Sequence, residues 1–113
     1  MPKIDSLKKG EISVDGNKYS FDVWLFADGR VMERQAIDGS KIAVDEIQTM
    51  MDNIDGLQEV VIVSEKELPV DKEAIEKATG ASVLLVQCNL DEAMEFFNKE
   101  VDSKKIGAIM VIK

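Results

Sequence analysis

The side chains that could do chemistry in this chain are few, and they gather in two short segments. Ser64-Glu65-Lys66 follows one apolar run and Gln87-Cys88-Asn89 follows another. A lysine attracts an anionic group, and an asparagine with the free N–H groups of a helix start orients it. A thiol between them lines the floor. Ser64, Glu65, Lys66, Cys88 and Asn89 are therefore the candidate ligand-binding residues. If the two runs are neighbouring parallel strands, both segments lie together at the strand ends, where open α/β sheets take their ligands. The plainer reading is that both are surface connections.

Covalent chemistry has little to work with. The sequence contains no His, so an imidazole-activated Ser or Cys nucleophile is excluded. Acid–base work would fall to a carboxylate or amine of strongly shifted pKa, with Glu65 and Lys66 the nearest. Cys88 stands just before a helix start, where the dipole favours a thiolate. A single free cysteine is more often a half-buried packing residue, and that is the expectation here. The acidic residues are dispersed as Asp45 and Glu46, Glu65 and Glu67, and Asp91 and Glu92. They read as solvated helix faces and caps, and no metal site is expected. Neither Asp-Gly turn continues into an EF-hand loop, and no glycine-rich phosphate cradle is present. No cofactor and no catalytic residue is assigned, and an enzymatic role is less expected than a non-catalytic one.

The elements that must position these residues change rhythm along the chain. Two Asp-Gly hairpin signals, Asp15-Gly16 and Asp28-Gly29, sit among alternating residues. Strands are predicted over 11–14, 18–26 and 31–34, forming an antiparallel meander covered on one face. In the second strand Trp24 and Phe26 share a face, and with Met32 on the next strand they form a candidate exposed interaction patch. A loop over 35–44 leads to a helix from Asp45, with Gln48 completing a capping box and Ile47, Met50, Met51 and Ile54 as its apolar stripe. Gly56 ends it.

Three apolar runs follow, each preceded by a helix. Val60-Val61-Ile62-Val63 is continuous and β-branched, as in strands covered on both faces. Residues 83–86 and 106–112 repeat the pattern, and all three are expected as central strands. Helices are predicted over 71–79, closed by Gly80, and from an Asn89 cap paired with Glu92, with Leu90, Ala93, Met94, Phe97 and Val101 inward. The order is β-β-β-α-β-α-β-α-β. The predicted architecture is one α/β domain over 1–113, a mixed sheet with helices on both sides and an N-terminal antiparallel extension.

Bulk properties set the remaining bounds. With 113 residues the chain is long enough for one core. Lys+Arg 14 against Asp+Glu 22 gives a net charge of -8. An acidic protein opposes both phosphate-backbone binding and docking on anionic lipid, so neither nucleic acid nor membrane is an expected partner. No signal or targeting segment and no span of membrane length is recognised, and the cytoplasm is the expected compartment.

The meander residues Ile12-Ser13-Val14-Asp15-Gly16, Tyr19, Asp22-Val23 and Asp28-Gly29-Arg30-Val31 resemble those of a small domain family. So do Pro69 before the second helix, Ala93 and Asn98 in the third, and the closing Gly107-Ala108-Ile109-Met110-Val111. That family includes mitochondrial complex I assembly factor 3, the adipogenesis-associated protein and many bacterial and archaeal members of unknown function. The resemblance spans nearly the whole chain and implies an α/β fold with a mixed central sheet and an added β-ribbon. It also implies a non-catalytic binding or assembly module. The chain departs from the family where a Gly-Thr-Gly-like loop gives way to Ser64-Glu65-Lys66, and where Cys88 stands in place of a common Thr. The expected function is thus a small protein that binds other proteins, or itself. The alternative is a binder of a small anionic ligand, or an enzyme, using the cleft between residues 64–66 and 87–89.

Overall fold

Tight left-handed turns organise the first third of the chain. The computed structural model describes residues 2–113. β1 (Ile4–Lys8), β2 (Glu11–Val14) and β3 (Asn17–Tyr19) form an antiparallel three-stranded sheet. Asp15 at φ +49 and Gly16 at φ +85 supply the positive pair that a two-residue hairpin loop demands. β4 (Val23–Leu25) and β5 (Val31–Glu33) make a second hairpin around Asp28-Gly29. Then come α1 (Val44–Asn53), β6 (Glu59–Ser64), α2 (Lys72–Gly80), β7 (Leu84–Cys88), α3 (Leu90–Glu100) and β8 (Ile106–Val111).

The five-stranded sheet has the order β5-β4-β8-β6-β7. β6 runs parallel to both β7 and β8, while β4 meets β8 antiparallel, so the sheet is mixed. Alternation along β6 explains its β-branched run. Val60 and Ile62 enter a core with Ile47, Met50 and Ala78 from α1 and α2. Val61 and Val63 enter another with Phe97 and Val101 at α3 and Ile4 and Ile12 of the small sheet. Both faces of β6 are dry, and its whole length is buried. The expected single α/β domain with a mixed sheet and helices on both sides is what the chain forms.

Several details differ from the sequence reading. Ile4–Lys8 is a strand, and the segment read as one strand over 18–26 divides at Ser20-Phe21-Asp22 as the chain crosses from the small sheet to the large one. Asp22 fixes that crossing. Its Oδ1 accepts from the backbone N–H of Ile112 at 2.9 Å and of Lys113 at 3.1 Å, and its carbonyl accepts from Arg34 N–H at 2.8 Å. The meander over 11–34 is therefore shared between two sheets. At the start of α1 the N-cap is Ala43, without a side-chain bond. Gln48 does not complete a capping box; its Nε2 donates to Asp52 Oδ1 one turn later at 2.7 Å. Asn89 does cap α3, accepting from Glu92 N–H at 3.0 Å.

The position of β7 is the larger correction. It was expected at the centre of the sheet and lies at its edge, with Leu84 56% exposed. A continuous apolar run speaks for covered faces, and carries no information about a neighbour on each side. Here α3 packs over β1, β6 and β8, and the end of β7 around Leu84 stays open.

Candidate functional site

The structure brings the two chemically equipped segments together. β6 and β7 are parallel neighbours with Val63 opposite Cys88, so Ser64 and Asn89 leave the sheet side by side. Ser64, Glu65, Cys88 and Asn89 line one cavity of about 170 Å³, joined by Glu67 and Gln87. Lys66 lines an adjoining hollow of about 340 Å³ with Ser64 and Glu65. The β1–β2 turn adds Lys9 to that hollow, and with Lys8 it also borders a third of about 430 Å³ beside Asn89 and Asp91. Lys8 and Lys9 were not foreseen, because the strand over Ile4–Lys8 carries only a weak alternation. The left-handed Gly10, at φ +86, was the available signal for a turn there.

The polar groups in this region are mostly engaged with one another. Lys9 Nζ lies 3.2 Å from Glu65 Oε2, both well exposed, an arrangement that adds little stability. Ser64 Oγ donates to the Lys66 carbonyl, closing the turn, and the Asn89 side-chain Oδ1 is spent on the helix cap. Burial pushes the Cys88 thiol pKa up, and the charges of Glu92 and Glu59 push it further. The dipole of α3 does not make Cys88 a thiolate. The set can hold a small polar group by hydrogen bonding and lysine charge.

Trp24 and Phe26 are not part of an exposed patch. They are 4% and 0% exposed in the core beneath α1, and only Met32 reaches solvent. The reason is a buried polar anchor. Trp24 Nε1–H donates to Glu46 Oε1 at 3.0 Å, and Arg34 grips the same carboxylate twice, through Nε at 2.7 Å and Nη2 at 2.8 Å. Arg34 also donates to the carbonyls of Gly39 and Lys41, which pins the loop before α1. Burial works against the Arg34 charge, but the bonds and charge of Glu46 outweigh it and hold its pKa above the ordinary arginine value. Among the described residues every buried side-chain nitrogen or oxygen has a hydrogen-bond partner. This cluster is a structural rivet, with no group left over for a ligand.

The open surface lies instead along β7. Leu84 N–H donates inward to the Gln58 carbonyl at 3.0 Å. In a parallel pair successive residues direct their backbone groups to opposite sides, so Leu85 and Gln87 present theirs outward. An apolar hollow of about 350 Å³ runs beside this edge between β7 and α2, with Ile75, Thr79, Leu84 and Leu85 among its lining. Ile75 is 48% exposed. Edge strands are normally blunted by charge, proline or a bulge. β1 carries Asp5 and Lys8, β3 carries Lys18 and β5 carries Glu33, whereas β7 carries no charged residue.

No protein-family model matches the chain, and no curated protein matches it by sequence. Its fold recurs in solved structures. A conserved hypothetical protein from Pyrococcus horikoshii superposes with a TM-score of 0.78 at 18% identity, covering 98% of each chain. A protein described as MT938 gives 0.79 at 15% identity, over 100% of this chain and 99% of that one. A Mth938-like domain from Bordetella pertussis gives 0.75 at 10% identity, over 97% and 85%. The structural neighbours thus include Mth938-like domains, and identities this low establish a shared fold. Among the described residues no helix is long and apolar enough to cross a membrane, and no group of three or more His, Cys, Asp or Glu could hold a metal ion.

Proposed function

We propose that this chain is a non-catalytic protein-binding module that receives an extended polypeptide segment along β7. The supporting observation is the uncharged edge of β7, unpaired among the described residues and flanked by exposed Leu84 and Ile75. Strand addition uses main-chain hydrogen bonds for affinity and side-chain hollows for selectivity, and the β7–α2 hollow is one such receptor. The absence of His and a Cys88 thiol shifted away from reactivity fit a role without chemistry. A place in the assembly-factor family that the sequence motifs resemble fits the same role. Affinity capture from the native cell tests it, with wild type and Leu84→Lys as parallel baits. Proteins retained by wild type should be lost from Leu84→Lys, whose charge would lie against the added strand. Equal capture by both baits would overturn the reading.

A second reading, an anionic-ligand site, draws on Lys9, Lys66 and Lys113 lining one hollow beside Ser64. Thermal-shift measurements with inorganic phosphate, nucleotides and small carboxylates test it, because a ligand binding only the folded state raises Tm. The shift should vanish in Lys66→Ala and shrink in Lys9→Ala. A shift that survives both substitutions would place the ligand elsewhere.

A further inference from the structure

The geometry points to a second copy of this chain as the occupant of β7, an inference that rests on the reading of β7 as an interaction edge. The argument begins with the backbone. The outward-facing residues of β7 are Leu85 and Gln87, and the inward-facing ones, Leu84, Val86 and Cys88, are taken up by β6. Beyond β6, no further strand pairs with β7 among the described residues. In an antiparallel self-pairing with the two-fold axis at Val86, Leu85 stands opposite Gln87 of the partner subunit, and Gln87 opposite the partner's Leu85. Each opposed pair exchanges both of its N–H···O bonds. One register therefore satisfies every outward backbone group that lies within β7, on both copies at once. That is the self-complementarity an isologous two-fold interface requires.

Electrostatics favours the same site. Two copies each carrying a net charge of -8 repel one another over most of their surfaces. A neutral face is where two such copies meet with least repulsion. β7 has no charged residue, and none of the residues lining the adjoining hollow is charged. The other strand edges carry charged residues, Asp5 and Lys8, Lys18 or Glu33, whose desolvation a strand pairing would have to meet. The pairing joins two five-stranded sheets into one and sets both α2 helices on the same face. The exposed Ile75 and Leu84 flank the junction and would lose solvent there.

Sedimentation equilibrium on the full chain tests the pairing, supported by residue-resolved amide exchange. Wild type should sediment at twice the 12.6 kDa chain mass. Leu84→Lys and Ile75→Lys should each weaken the dimer by about a hundredfold or more, since each sets an unpaired charge beside the strand junction on both copies. Both positions are exposed, so the variants should keep the wild-type circular dichroism spectrum. Ile37→Lys, at a position 96% exposed and on no strand, should leave the dimer intact. In the dimer the Leu85 and Gln87 amides should be protected, and in the Leu84→Lys monomer they should exchange freely. A dimer that persists in both charged variants, or protection that appears elsewhere, would overturn the pairing. A wild type that stays monomeric at millimolar concentration would also overturn it. Should the two baits described above still capture differently, another protein's strand takes the place of the second copy.

Discussion

Gly107 and Cys88 show how single residues are constrained by what faces them. A Cβ at Gly107 would lie 2.7 Å from Met50 Sδ and 2.8 Å from Ile54 Cδ1, so β8 passes beneath α1 with no room for a side chain. Both obstructing atoms belong to flexible side chains, and relieving the contact means repacking the buried α1 stripe. Gly107→Ala should destabilise the fold by about 1–3 kcal/mol, measured by urea denaturation. An unchanged midpoint would contradict this packing. Cys88 is perturbed through its charge state. Its folded pKa is raised, chiefly by burial and further by Glu92 and Glu59. Stability associated with the protonated thiol is therefore full below the unfolded thiol pKa and declines as pH rises through the folded one. At about pH 8, near the ordinary thiol pKa, iodoacetamide should label Cys88 several-fold more slowly in the folded chain than in urea. Faster labelling of the folded chain would indicate an activated thiolate.

At the scale of elements, the Arg34–Glu46–Trp24 cluster decides how the β4–β5 hairpin, the loop before α1 and α1 itself are joined. Arg34 closes it with two bonds to Glu46 and two to loop carbonyls, all from a side chain 2% exposed. Arg34→Met would leave Glu46 buried with the Trp24 indole as its remaining side-chain donor. The expected loss is about 3–5 kcal/mol, the magnitude of a broken buried ion pair. Combining Arg34→Met with Glu46→Gln, which removes the charge and keeps an acceptor for the Trp24 indole, should recover much of that loss. A double mutant as unstable as the single one would mean the carboxylate is not the source. Asn98 joins elements in the same way, donating to the Ile4 carbonyl at 2.9 Å and accepting Ile4 N–H at 2.8 Å, which ties α3 to β1.

The whole molecule shows which signals were legible in the chain and which were not. The run over 60–63 told of covered faces because its β-branched residues enter two cores in alternation. Parallel pairing then placed Ser64 and Asn89 together, since both segments leave strands of matched register. The hidden part was non-local. Glu46 reads as part of a solvated helix face because a buried ion pair has no periodic signature, and the face of Trp24 and Phe26 looks open because its cover, α1, is distant in sequence, with Glu46 lying 22 residues beyond Trp24. The division at Ser20-Phe21-Asp22 was equally hidden, because Asp22 acts through the end of β8. Strand order across a sheet depends on tertiary placement, and so the edge position of β7 could not be read from an apolar run.

That edge carries the account of function, and amide hydrogen exchange in dilute and concentrated solution examines it most directly. Val86 and Cys88 amides, turned toward β6, should exchange slowly at every concentration. Leu85 and Gln87 amides should exchange rapidly in dilute solution and become protected as concentration rises. Protection of Leu85 and Gln87 already complete in the dilute chain, or exchange unaffected by any concentration, would contradict an open edge that a second copy covers.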